Sequence, residues 1–205
     1  MEERNGAHLT NSADLGINFK TKSDYFSSEM GFFDGEGYHF RGVEQNRKLS
    51  FEYRLTAHLF GNGREHLNPR SDSYANISLT GQFNPDYKNG EDDFQWYAVH
   101  GVYNQPQFLL AFIYADSTPS DKVFDGKGWS VNGELRPTKE WSLFARYDRW
   151  KDSLQGRKRK EVIGGVAYTY NRHLTFIANL FHIDPDTQGD NDEETRYMVT
   201  AEVKW

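Results

Sequence analysis

The chain has 205 residues, a formal charge of −6 from 24 basic and 30 acidic side chains, 37% hydrophobic and 16% aromatic residues, and no cysteine. That balance argues against a general nucleic-acid binder, which is usually basic, and the missing cysteines exclude disulfides and thiolate metal sites. No stretch approaches the roughly 18 apolar residues of a spanning helix, so the low mean hydropathy of −0.84 leaves two classes: a loop-rich soluble β-protein, or a transmembrane β-barrel, whose strands are apolar on the lipid side only.

The chain opens on Met1-Glu2-Glu3-Arg4, with no apolar core of a signal peptide behind it, and residues 2–12 are too polar to read as a strand. From there apolar and polar residues alternate with the period of two that marks strands. Eleven strands are expected: 13–22, 25–33, 48–60, 74–83, 94–104, 107–115, 128–136, 141–150, 161–171, 173–183 and 195–205. The clearest is Leu49-Ser50-Phe51-Glu52-Tyr53-Arg54-Leu55-Thr56-Ala57-His58-Leu59, apolar at every odd position and polar at every even one. Lengths of about 9–13 residues suit tilted strands crossing a bilayer, whereas soluble strands average about 5–6.

The connections alternate as well. Ser23-Asp24, Gln105-Pro106, Pro137-Thr138-Lys139 and Asn171-Arg172 read as tight turns, and 34–47, 84–93, 116–127, 151–160 and 184–194 as long polar loops. The 61–73 connection breaks the rhythm, being long where a tight turn is due. Short turns at one end and long loops at the other characterise outer-membrane barrels. Trp141 and Trp129 at strand starts, and Tyr103 and Tyr170 at strand ends, fit aromatic belts at two interfaces.

The final strand places Tyr197, Val199, Ala201, Val203 and Trp205 on one face. An aromatic last residue in phase with the apolar face resembles the signal read by the outer-membrane barrel assembly machinery, which more often ends in Phe. Asp14-Leu15-Gly16, Gly31-Phe32-Phe33-Asp34-Gly35-Glu36-Gly37, Gly128-Trp129-Ser130, Phe144-Ala145-Arg146-Tyr147-Asp148-Arg149 and the Trp205 ending follow in an order that resembles the C-terminal part of the phosphate-selective (O/P) porin family. The resemblance implies an all-β, transmembrane, antiparallel up-and-down barrel in the bacterial outer membrane. It also implies a homotrimer, in contact with outer-membrane lipid and lipopolysaccharide, that passes small solutes. Such barrels have an even strand number with both termini in the periplasm. Eleven strands with an exterior start therefore point to N-terminal strands and a signal peptide missing from this sequence, or to an unread strand in 2–12.

With the apolar faces toward lipid, the opposite faces line the lumen. The pore-lining candidates are Lys20, Glu29, Glu52, Arg54, His58, His100, Glu134, Arg136, Arg146, Asp148, Arg196, Glu202 and Lys204. Both signs are present in near balance, which sets up a transverse field across a pore, or else pairs laterally and stiffens the wall. Phosphate-specific members of the family use an arginine ladder and a lysine cluster. Here the arginines are interleaved with acids, so a dedicated phosphate site is not expected.

Other motifs carry less. The seven histidines contain no HExxH; His58 and His100 read as lumen-facing, and His8, His39, His66, His173 and His182 as loop or strand-end residues. Asp184-Pro185-Asp186-Thr187-Gln188-Gly189 partly resembles a calcium loop, but Thr195 stands where a bidentate Glu is needed. Arg157-Lys158-Arg159-Lys160 reads as a solvated loop or as a patch for anionic lipid headgroups. No catalytic set, metal site or cofactor cradle emerges. The expected function is a passive, weakly selective diffusion pore rather than an enzyme. Its alternatives are a barrel that sheathes another envelope protein and a soluble carbohydrate-binding β-sandwich.

Overall fold

The computed structural model describes residues 15–33, 49–85, 93–117, 126–152, 156, 158–185 and 193–204. Among them the elements are all strands: β1 (Gly16–Lys22), β2 (Phe26–Phe33), β3 (Ser50–His58), β4 (Tyr74–Asn84), β5 (Phe94–Gln105), β6 (Phe108–Ser117), β7 (Gly126–Leu135), β8 (Trp141–Asp152), β9 (Lys158–Asn171), β10 (Leu174–Pro185) and β11 (Glu194–Val203). They form one sheet in which every strand pairs antiparallel with its neighbours in sequence. The architecture is an all-β, up-and-down meander of barrel type. It is not closed, because β1 and β11 do not pair with each other. Among the described residues no second sheet packs against it, as a β-sandwich would require.

All eleven expected strands are present, with boundaries shifted at the long-loop end. β6 runs on to Ser117, β7 starts at Gly126, β8 reaches Asp152 and β9 starts at Lys158, so both flanks of the expected 151–160 loop, residues 151–152 and 158–160, are strand. Charge had marked these residues as loop. Charge reports contact with polar surroundings, and a strand that projects past its apolar band keeps its backbone ladder while its side chains become polar. Trp129 therefore lies inside β7 rather than opening it. Ser117 Oγ closes the β6–β7 end by bonding both the amide and the carbonyl of Gly126, each at 3.0 Å.

The tight turns fall at the opposite end. Ser23 binds Phe26 through backbone and hydroxyl alike. Thr138 Oγ1 accepts from the amides of Glu140 and Trp141, and Asn171 Oδ1 accepts from the amide of His173. The calls on residues 13–14, on His8 and His39, on 34–47, on the acidic run from Asp186, on Arg157 and on Trp205 lie outside the described residues.

Register sorts the side chains into two faces, since directly paired residues share a face and alternate residues along a strand return to it. One row reads Lys20, Glu29, Arg54, Thr80, Ala98, Ala115, Gly128, Trp150, Arg159. A row of the other face reads Ala57, Ile77, Gly101, Phe112, Val131, Tyr147, Val162, His182. His182 thus sits within β10 on the apolar face, bonded to Thr195 Oγ1 at 2.8 Å, rather than at a strand end.

Burial is inverted relative to a soluble domain. The buried apolar residues among those described are three alanines, Ala75, Ala98 and Ala115, while thirteen polar or charged residues are buried. Most of these lie on the polar face, from Ser50 and Gln82 to Asn104, Ser130, Asp148 and Glu161. The other face exposes Ile17, Phe32, Ile77, Leu110, Phe112, Val131, Leu143, Val162 and Val199. Soluble monomers rarely expose apolar patches beyond a few hundred Å²; this band crosses all eleven strands. Aromatic rings border it at both ends. Trp141–Tyr168 (4.7 Å between centroids) and Tyr103–Phe108 (5.7 Å) lie at the turn end, and Trp129–Tyr147 (5.3 Å) and Phe32–Phe51 (5.2 Å) toward the long loops.

The candidate pore wall

The strand register puts the in-strand wall candidates on the polar face: Lys20, Glu29, Glu52, Arg54, His58, His100, Glu134, Arg146, Asp148, Arg196 and Glu202. Arg136 and Lys204 follow the same alternation one step past their strands. That face is concave, because one cavity of about 630 Å³ is lined by its residues from β6 through β11.

Charges on the wall neutralise mostly along strands. Residues i and i+2 share a face, and long side chains bridge them: Glu134–Arg136 at 2.8 Å, Arg146–Asp148 at 2.7 Å, Glu202–Lys204 at 3.4 Å, and the Arg159–Glu161 and Glu194–Arg196 pairs. Lys20–Glu29, at 2.7 Å, is the cross-strand case. Neutral groups link the strands laterally. His58 bonds Ser27 Oγ through Nε2 and Asn76 Oδ1 through Nδ1. Thr56 and Ser78 share a hydroxyl bond of 2.9 Å. Gln82 donates to Ser50 and accepts from the Trp96 indole.

The 59–73 connection, the exception to the loop rhythm, crosses the concave face at the turn end. It leaves β3 through Gly61, whose φ of +70° favours a residue without a Cβ. It is tied to the β1–β2 turn by Gly63 N to Asp24 O at 2.8 Å and by Arg64–Asp24 at 3.5 Å. The far side of the connection is anchored three times. Asn104 donates to Pro69 O and Asp72 O, at 2.9 and 2.7 Å. Arg136 donates to Pro69 O, Asn104 Oδ1 and Gln105 O. Arg70 reaches Lys139 O and Ser142 Oγ on the β7–β8 hairpin. From β4 to β8 is four inter-strand spacings, about 19 Å at roughly 4.8 Å each. Within the connection Asp72 accepts from the Asn68 amide at 2.6 Å and the Ser71 hydroxyl at 2.9 Å. Those two bonds, the amide first, hold its carboxyl below the ordinary aspartate range.

Two wall assignments change in character. The Arg136 side chain is 4% exposed and its donors are taken by the connection and by Glu134, so it fastens the 59–73 segment instead of facing open space. Asp148 is equally buried, under Arg146. Two cations that alternation did not single out join the cavity: Arg70 from the connection and Arg172 from the β9–β10 turn. Neither lies on a strand, so period-two reading had no means of finding them. With Arg146 and Lys204 they face Glu134 and Glu202 across the cavity, a tilt toward positive charge at the turn end. The cavity wall is also less uniformly polar than alternation implies: Leu109, Phe144, Ile163 and Ile177 line it too. No group of three or more potential metal ligands occurs among the described residues. No family model and no curated protein matches this chain.

Proposed function

We propose that the chain forms the wall of an outer-membrane porin of the O/P type, a passive and weakly selective diffusion pore for small hydrophilic solutes. The observation that carries this reading is the inverted burial: a continuous apolar band exposed on the convex side and a hydrogen-bonded polar face on the concave side. In lipid such a band faces hydrocarbon and the backbone is satisfied by its ladder; in water the same band favours aggregation. The two aromatic belts and the one-ended distribution of tight turns support the same reading. A closed wall requires strands on the outer edges of β1 and β11, and the trimeric state and recognition by the barrel assembly machinery rest on the family resemblance.

Selectivity follows from the wall. Its acid–base pairs offset one another, and the cations at the turn end add a modest preference for anions. The test is conductance in planar bilayers of the protein extracted from membranes in detergent. Stepwise, ohmic openings with a small reversal potential under a salt gradient are expected. Membrane insertion without conductance would favour a sheath for another envelope protein, and a monodisperse protein without detergent would overturn the membrane reading.

A further inference from the structure

The strands place five cations on the apolar face, and all five lie together at the long-loop end of β7, β8 and β9. Lys127, Lys151 and Lys158 are direct register partners in one row, and Arg149 and Lys160 are partners in the next row inward. Like charges directly opposite each other on antiparallel strands repel, so the row of three lysines works against its own sheet unless an anion sits over it. On the strands of this face the carboxylates among the described residues are Asp116 and Asp184, which flank the patch as register neighbours of Lys127 and Lys160, while Glu193, just ahead of β11, lies 4.0 Å from His182 on the same face. Asp184 approaches Lys160 at 3.6 Å, and Asp116 accepts from the Tyr114 hydroxyl at 2.9 Å. Tyr114 and Trp129 share the row of Arg149 and Lys160, and Tyr147 lies in the next row inward together with the exposed Phe112, Val131 and Val162. The patch therefore stands where hydrocarbon gives way to headgroups.

We propose that Lys127, Arg149, Lys151, Lys158 and Lys160 form a site for the phosphates of a multiply phosphorylated glycolipid headgroup of the lipid A type. The site rests on the membrane reading above and places the long-loop end in the leaflet that carries that lipid. Five cations spread over three strands, about 10 Å wide at two inter-strand spacings, exceed what one phosphate of at most two negative charges offsets, so the occupant bears more than one. Arg159, in the middle of the basic run, is not part of the site: it belongs to the concave face, where it pairs with Glu161. The run of consecutive cations is thus split by the strand, and the patch is completed by residues that are distant in sequence.

The experiment titrates bisphosphorylated lipid A, monophosphorylated lipid A and phosphatidylglycerol into detergent-solubilised protein, with bound lipid read by native mass spectrometry. Binding should rank in that order, and inorganic phosphate at matched concentration should not displace lipid A. Each basic residue near a lipid surface contributes about a factor of five, so Lys127→Gln, Lys151→Gln and Lys158→Gln together should weaken lipid A binding about a hundredfold. A control with Arg64→Gln and Lys139→Gln at the turn end should bind as the parent does. Far-ultraviolet circular dichroism of the triple variant should match the parent, and if it does not, the single Lys151→Gln should still lower binding severalfold. Equal binding of the three lipids, or full lipid A binding by a folded variant, would overturn the site while leaving the pore intact. Failure of the parent to occupy micelles would overturn the membrane reading and the site with it.

Discussion

Val131 and Asn132 are neighbours in the middle of β7 on opposite faces, and substituting each by arginine separates a membrane wall from a soluble sheet. β7 has ten residues. At about 3.3 Å per residue and a tilt near 40° it rises roughly 25 Å, the height of a barrel's apolar band. Val131, sixth in the strand and 42% exposed on the apolar face, then lies near mid-membrane, where a lipid-facing arginine costs about 2–4 kcal/mol. Asn132→Arg enters the concave cavity, where Arg146 is its register partner but is already paired with Asp148. Its cost should stay within about 1 kcal/mol. A soluble sheet reverses the order: an arginine at a water-exposed valine shifts stability by only about 0.5 kcal/mol, and the more enclosed Asn132 becomes the sensitive position. Urea titration of folding into lipid vesicles, followed by tryptophan fluorescence, measures both. If Asn132→Arg is the more damaging, the assignment of lipid and water to the two faces is wrong.

Releasing the 59–73 connection should widen the pore: Arg70→Ala and Arg136→Met are expected to raise single-channel conductance, with Arg136→Met also destabilising by about 3 kcal/mol because it strands buried partners of a charge. Replacing Glu52 and Glu202 by Gln should move the reversal potential toward anions, and replacing Arg54 and Lys204 by Gln should move it toward cations; no change in either direction would remove these residues from the conducting wall. Asp72 has a depressed folded pKa, so its contribution to the connection is complete above the unfolded carboxyl value and is lost as pH falls through the folded one. Hydrogen-exchange protection factors of residues 68–73, taken relative to the intrinsic rate at each pH, should accordingly stay constant from pH 7 to about 4 and fall below. Deleting Trp205 should impair assembly in cells far more than folding into detergent, as measured by the heat-modifiable fraction in each setting; equal losses would remove the terminal aromatic from the assembly signal.

The alternation of side chains by itself determined the strand number, the antiparallel order and the assignment of wall residues to one face. Each of these is a local property: a strand repeats every two residues, and a turn of two or three residues can only return the chain beside itself. Leu49 to Leu59 needs no tertiary information to be read as one greasy and one charged side. What the tertiary structure decided is everything that joins distant residues. The 59–73 connection looked like an anomaly in a loop rhythm, and only the anchors on Asn104, Arg136 and Ser142 turn it into a span across the concave face. Arg136 read as a wall charge until burial made it a fastener. The basic run 157–160 read as one patch, yet the pleat sends Arg159 inward to Glu161 and aligns Lys158 with Lys151 and Lys127. Register across strands, which sets those neighbours, depends on where each turn places the next strand, and no repeat within a strand encodes it.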